Sequence, residues 1–246
     1  MPAPQPRNLG GQKALVTGAT SGIGHAVALQ LARDGAEVIV HGRDAARGTQ
    51  TVESITAAGG RARFVGADLS DPADLQRLVN AVGDIDILVN NAGFSWFGAT
   101  ADLDVETFDA LFASNVRSAF SLVAAFAPGM ATRGKGSIIN VSSMAGQIGL
   151  EGGAAYGATK AALASMTRAS AAEFSASGVR VNAIAPGPVY TAGAAPERIE
   201  ALGATTLLHR AADPAEIAEA VAFLASPRAS YVTGAIVAAD GGRTAI

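Results

Sequence analysis

Seven short apolar runs constrain this chain more than any other feature. They lie at Lys13–Thr17, Glu37–His41, Arg61–Gly66, Ile85–Asn90, Ser137–Val141, Val179–Ile184 and Ala235–Ala239. A strand with one wet face alternates apolar and polar residues. A run such as Val38-Ile39-Val40 does not alternate, so it belongs to a strand covered on both faces. Helical stretches lie between the runs. Gly22–Asp34 carries Ile23, Val27, Leu29 and Leu31, and Gly35 stops it. A polar helix precedes Gly59-Gly60. Asp71-Pro72 reads as a helix cap followed by proline in the first turn. Asp104–Met130 is a long helical region, and Ala154–Ser175 is an alanine-rich helix. Asp213-Pro214-Ala215-Glu216 repeats the cap and adds a capping-box glutamate. Strand–helix alternation with right-handed crossovers predicts an α/β fold: a doubly wound, seven-stranded parallel sheet with helices on both faces. Such a sheet binds ligands beyond the carboxyl ends of its strands, near the point where strand order reverses.

No linker or shift in composition divides the chain, so one domain over residues 1–246 is expected, with 1–10 as a flexible lead-in. Apolar residues make up 49% of the chain and charged residues 16%, which excludes intrinsic disorder. The net charge is −3 and there is no basic run, so a nucleic-acid partner is not expected. Stretches such as Ala119–Met130 are interrupted by Ser121 and Pro128, so no membrane span is expected. The first residues lack the apolar core of a signal peptide. The chain has no cysteine. That removes disulfides, thiolate metal sites and cysteine nucleophiles, and fits a cytoplasmic setting. No metal is expected.

The first strand runs into Thr17-Gly18-Ala19-Thr20-Ser21-Gly22-Ile23-Gly24, and a helix follows. Glycine lets the backbone turn sharply beside a diphosphate, while the helix start offers free N–H groups and a positive dipole end. An acid at the end of the next strand would favour NAD by binding the adenosine 2′-hydroxyl. Here that strand ends His41-Gly42-Arg43, and a guanidinium suits a 2′-phosphate. NADP(H) is therefore favoured and NAD(H) remains open, since Asp44 follows at once.

Tyr156 and Lys160 sit four apart in a helix and share a face. An ammonium beside a phenol favours the phenolate, so Lys160 is expected to lower the Tyr156 pKa and fit it for general acid–base work. Ser142-Ser143 follows the fifth strand and Asn90-Asn91-Ala92-Gly93 the fourth, both at the ligand-binding edge. Asn115 lies among apolar neighbours, where an amide needs partners.

Together these residues resemble the short-chain dehydrogenase/reductase family in its small, Rossmann-like form. The resemblance rests on Thr17–Gly24, Asp68-Leu69, Asn90–Gly93, Asn115, Ile139–Ser143, Tyr156–Lys160 and Pro186–Thr191, and covers about Gly11 to Gly242. It implies an oxidoreductase that interconverts a ketone and a secondary alcohol by hydride transfer. Tyr156 would be the acid/base. Ser143, thirteen positions before it, would polarise the substrate oxygen, and Ser142 is the lesser candidate. Lys160 would hold the nicotinamide ribose, and Asn115 would anchor a water in a proton relay. Cofactor contacts are implied for Gly18, Thr20, Ser21, Gly22, Ile23, Gly24, Arg43, Asp68, Leu69, Asn91, Ala92 and Gly93. Pro186, Gly187, Val189 and Thr191 would cover the nicotinamide. Residues 190–210, with Gly193, Pro196 and Gly203, would form a substrate lid. Phe94, Trp96, Met144, Leu150 and Tyr190 are the expected pocket side chains.

Narrower and rival readings stay open at this point. One is a 3-oxoacyl-carrier-protein reductase, although Phe94-Ser95-Trp96-Phe97 departs from the stretch common there, and near the fifth strand only Arg133 and Lys135 offer a basic pair. Sugar, polyol or steroid dehydrogenases are others. A redox-sensing module without catalysis would have no use for the Ser143, Tyr156, Lys160 and Asn115 set. A longer-branch epimerase or dehydratase fits neither the length nor the glycine spacing. Small residues along Ala154–Ser175 suit close helix packing between copies, so a homodimer or homotetramer is expected, with Tyr231–Ile246 at a second interface.

Overall fold

The computed structural model describes residues 9–191 and 195–246. Residues 1–8 of the expected lead-in and residues 192–194 of the expected lid, Gly193 among them, lie outside the described residues.

One sheet runs through the molecule in the order β3-β2-β1-β4-β5-β6-β7. Its strands are β1 (Lys13–Val16), β2 (Glu37–Gly42), β3 (Arg61–Gly66), β4 (Ile87–Asn90), β5 (Gly136–Val141), β6 (Val179–Pro186) and β7 (Ile236–Ala239). Every neighbouring pair is parallel. The expected sheet is thus the observed one. The differences are at strand ends: β4 starts at Ile87, and β6 runs on to Pro186.

The unbroken apolar runs are explained by the two layers they separate. Ala14, Val16, Val38, Val40 and Val89 pack on one face against α1 (Gly22–Arg33), α2 (Ala45–Ala57) and α8 (Pro214–Ala225). Leu15, Ile39, Leu88 and Ile138 pack on the other against α3 (Pro72–Val82), α5 (Ser118–Thr132) and α6 (Ala154–Phe174). Alternate residues of a strand point to opposite faces, so both parities must be apolar when both faces are covered.

Aspartates start the helices as their sequence positions suggest. Asp71 accepts from Ala73 N–H, with Pro72 in the first turn. Glu216 accepts from Asp213 N–H at 3.0 Å. The long helical region holds a break that the sequence does not announce. α4 (Val105–Phe112) passes through one π turn, Ala113–Arg117, into α5. Taken as one run, Val105–Thr132 has 28 residues, and within it an 18-residue window has a mean hydropathy of 1.4, long and apolar enough by those measures to cross a membrane. The run is apolar because it is a core helix: Leu122, Val123, Phe126 and Met130 are buried among the sheet residues named above.

A second surprise is α7 (Pro196–Gly203), in a segment with few helical signals. Only Ile199 and Gly203 are buried in it, so there was almost no apolar period to read. The segment around it leaves and rejoins the fold at one place. Val189 bridges Ala212, Tyr190 N–H donates to Ala212 O at 3.0 Å, and Ala212 N–H donates to Pro188 O at 2.9 Å.

Candidate active site

β1 feeds β2 on one side of the sheet and lies beside β4 on the other, so the loops leaving their carboxyl ends diverge. A cleft of about 900 Å³ opens there. Its walls include every residue expected to hold a cofactor, from Gly18 through Gly24 to Arg43, Asp68, Leu69, Asn91, Ala92, Gly93, Pro186, Gly187, Val189 and Thr191. Ser143, Tyr156 and Lys160 line it too, as do Phe94, Met144 and Leu150. Two expected pocket residues do not. Trp96 lays its indole across Gly98, close enough that a Cβ there would sit 2.8 Å from the ring. Tyr190 is exposed at the foot of the 190–211 segment and is not part of the walls.

At one end the cleft is a framework of backbone and buried polar groups. Gly24 is pressed so closely that a Cβ would meet Asn91 Nδ2 and Gly18 O, each at 2.3 Å. The Asn91 amide donates to Thr17 O at 2.8 Å and Gly18 O at 3.2 Å. Its side chain therefore ties the two central turns together, and only its main chain and flanks are left to face a ligand. A residue overlooked in the sequence completes the framework. His41, buried at the end of β2, accepts from Gly18 N–H through Nδ1 at 3.3 Å. Nε2 then carries the proton and donates to Ala67 O at 3.1 Å. Burial lowers the His41 pKa to about 4, so the ring is neutral at ordinary pH. The signal available was a polar residue closing an otherwise apolar strand.

Arg43 is exposed on the rim of this end, and Arg47 joins it in the wall. Asp44, which clouded the cofactor choice, is engaged by Arg47. It caps α2 by accepting from Arg47 N–H and pairs with the Arg47 side chain at 2.8 Å. Asp68 accepts from Ser70 Oγ and N–H at 2.7 and 2.9 Å. Those bonds, with Arg43 nearby, keep its carboxyl below the usual carboxylate range.

The chemistry-bearing side chains occupy the middle of the cleft. Ser142 is buried and donates to Lys160 O at 2.9 Å, whereas Ser143 faces the cleft. That separates the two serines that sequence alone ranked only by spacing. Lys160 is buried beneath Tyr156. Its Nζ donates to Val141 O at 2.8 Å and lies 5.7 Å from the centre of the phenol ring. Burial lowers the Lys160 pKa to about 8. The Tyr156 pKa is raised, not lowered as the sequence suggested. Burial of the phenol is the larger cause, and the Ser143 hydroxyl beside it works weakly the other way. With Nζ turned to a carbonyl, the ammonium does not offset that burial.

Asn115 is held by a separate set of contacts. It sits in the π turn, buried behind the cleft rather than in its wall. Oδ1 accepts from Phe94 N–H at 3.0 Å, while Nδ2 donates to Phe94 O at 2.9 Å and Thr159 Oγ1 at 3.1 Å. Thr159 Oγ1 in turn donates to Tyr156 O at 2.7 Å. The amide bolts the loop after β4 to the turn of α6 that carries Tyr156. Gly93 makes room for it: a Cβ there would lie 2.5 Å from Asn115 Oδ1.

The far end is closed by Phe97 and by Ala195, Arg198, Ile199 and Leu202 of the α7 segment. The Phe97 and Tyr156 rings are 5.5 Å apart, and the Arg198 guanidinium lies 4.0 Å above Phe97. Neither Phe97 nor Arg198 was singled out from the sequence.

Comparison with known proteins finds the same fold. The family model described as enoyl-(acyl carrier protein) reductase matches residues 18–244. The 2-(S)-hydroxypropyl-CoM dehydrogenase 3 of Xanthobacter autotrophicus is 38% identical over 244 residues, covering 94% of this chain and 96% of its own. A solved structure described as a short chain dehydrogenase/reductase family protein is 51% identical, with a TM-score of 0.90 over 97% of this chain and 100% of its own. The angucycline C-6 ketoreductase LanV, solved with bound NADP, is 36% identical, with a TM-score of 0.90 over 97% of this chain and 98% of its own.

Proposed function

The chain belongs to the short-chain dehydrogenase/reductase family, and from that premise we propose that it interconverts a ketone and a secondary alcohol, prefers NADP(H), and uses Tyr156 as acid/base. The observation that carries the reading is the meeting of Ser143, Tyr156 and Lys160 in one cleft with the glycine-rich turn. The turn fits a dinucleotide: Gly24 lets the start of α1 press onto Gly18 and Asn91, where a Cβ would clash, and no side chain caps the first N–H groups of α1. The rim cation Arg43 supports NADP(H), as does the capture of Asp44 by the α2 cap. An ionised Asp68 suits the amino edge of an adenine.

The bound cofactor supplies or accepts the hydride, and the protein supplies position and protons. The Ser143 hydroxyl holds the substrate oxygen. Tyr156, with its raised pKa, is a protonated phenol at neutral pH and gives its proton to that oxygen during reduction. Lys160 binds the nicotinamide ribose in this reading, and Asn115 keeps the Tyr156 turn in place. The α7 segment acts as the lid that excludes water from the exchange. A cysteine-free chain of this class suits the cytoplasm. Exposed Val105, Phe108 and Phe120 on the α4–α5 face, beside α6, support a homo-oligomer, which sedimentation velocity would detect.

Arg133 and Lys135 pair with Asp84 and Asp86, at 2.7 and 3.1 Å, so they do not form a free basic patch for an acidic carrier protein. A small-molecule carbonyl is the better reading. The test is consumption of NADPH and NADH, side by side, against ketones, keto esters and 3-oxoacyl thioesters. Carbonyl-dependent oxidation with NADPH the better donor is expected. A protein that binds the cofactor yet oxidises it with none of these carbonyls would overturn the reading.

A further inference from the structure

The charged side chains that line the cleft fall into three groups. Arg43, Arg47 and Asp68 surround the end beside β2, and Lys160 lies beneath Tyr156. Among the described residues, Arg198 alone stands at the far end, on α7, among Phe97, Leu150, Ile199 and Leu202. Its guanidinium carbon lies 4.0 Å from the centre of the Phe97 ring. A guanidinium laid on an aromatic face is held by its π face, which leaves its edge N–H groups free to bond in the ring plane. Among the described residues no carboxylate lies within salt-bridge distance of it, although Glu197 and Glu200 share its helix. Arg210, farther along the same segment, instead makes two bonds to Glu216, each of 2.7 Å. Phe97 also meets the Tyr156 ring, at 5.5 Å between centres. Two ring contacts in series put the guanidinium within roughly 10 Å of the phenol.

We infer that the substrate carries an anionic group, separated from its carbonyl by a short apolar spacer, and that Arg198 binds that group. The inference rests on the carbonyl-reducing reading above. A planar carboxylate matches the paired N–H groups of a stacked guanidinium. The apolar walls suit the spacer, and Phe97 fixes the distance between the anion and the oxygen held at Ser143 and Tyr156. Arg198 is thus a specificity residue rather than part of the proton exchange.

The test uses three keto acids of graded length, 4-oxopentanoate, 5-oxohexanoate and 6-oxoheptanoate, each beside its methyl ester, with saturating NADPH. At least one acid is expected to exceed its ester in kcat/KM by about tenfold or more, as charge-assisted bonding implies. In Arg198→Met the acid-to-ester ratio falls at least about tenfold, mainly through KM, and Arg198→Lys recovers part of it because the charge remains while the fork is lost. Calorimetric titration of the same compounds into the NADP-loaded protein separates this inference from the reading it rests on. Acid binding that needs Arg198 supports the anion site even if no carbonyl is reduced. Acids and esters bound alike, or no acid bound, overturn it. So does a rise in the dissociation constant for NADP itself in Arg198→Met as large as the loss for the acids, because Arg198 would then belong to the cofactor.

Discussion

The two ends of the cleft are built by different means. Beside β1 and β2 the walls are main chain, cross-tied by buried groups. Asn91 holds the carbonyls of Thr17 and Gly18, and His41 spans Gly18 and Ala67. At the α7 end the walls are side chains on a segment tied at the bridge from Val189 to Ala212 and again where Leu208 N–H donates to Gly241 O at 3.2 Å. Its contacts there are apolar faces and one stacked guanidinium. The first construction holds one shape, because moving any member leaves a buried donor or acceptor unpaired. The second tolerates change, because an apolar or stacked contact has no unpaired partner to leave behind. A fixed cofactor and a varied substrate call for those two constructions, in that order.

The largest effect should come from the middle, where both ends meet. Tyr156→Phe removes the proton donor and keeps the ring against Phe97. Turnover is expected to fall at least about 100-fold, the lower range for general acid catalysis, with cofactor affinity kept. A fluorescence titration of NADPH beside the rate assay checks both. Loss of cofactor binding as well would mean that Tyr156 belongs to the rigid end.

Gly24→Ala probes the rigidity itself. The added methyl meets Asn91 Nδ2 and Gly18 O at 2.3 Å, so the turn must open. Overpacking of this kind costs about 1–3 kcal/mol, seen as a lower melting temperature and weaker NADPH binding. An unchanged melting curve would show that the turn is softer than its bonds suggest.

His41→Asn tests the same framework through pH. Burial lowers the His41 pKa from 6.5 to about 4, so the unfolded chain takes up the proton first as pH falls. The stabilising effect of the neutral ring is complete above pH 6.5 and is lost as pH drops towards 4. The loss amounts to about 1.4 kcal/mol per unit across that window. The wild type is therefore expected to lose more stability than His41→Asn between pH 7 and pH 5, read by urea titration. Equal losses would remove His41 as the titrating tie.

The smallest effect lies on the exposed rim. Arg43→Ala should weaken NADPH by roughly tenfold and NADH little, since one exposed charge-assisted contact is lost. Equal weakening of both would mean that Arg43 does not distinguish them.

The same contrast decides what could be read from the sequence. Strands buried on both faces announce themselves in runs such as Val38-Ile39-Val40, and a backbone cradle in the spacing of Gly18, Gly22 and Gly24. Asp71-Pro72 and Asp213-Pro214 mark helix starts through local chemistry. The α7 helix left little trace, because it packs through Ile199 and Gly203 and otherwise meets solvent or the cleft. The π turn at Asn115 was hidden because its residues read as ordinary helix. Which aromatic entered the cleft depended on how the loop after β4 folds: Phe97 turned inward, and Trp96 turned onto Gly98. The direction of the Tyr156 shift needed the burial of the phenol and the position of Lys160 Nζ, neither of which is a property of spacing.

The bridge between Val189 and Ala212 has a consequence for how such a protein can be re-engineered. It closes the neck of an excursion that is tied once more, where Leu208 N–H donates to Gly241 O at 3.2 Å, and α7 lies between these two anchors. Lengthening a closed flexible loop is cheap, about 0.6 kcal/mol for each doubling, so residues can be added or removed between the two anchors with little effect on the strands below. The stretch is in effect a cassette. A substrate preference could be transplanted by exchanging it whole, while Gly24, Asn91 and His41 stay untouched on the far side of the cleft.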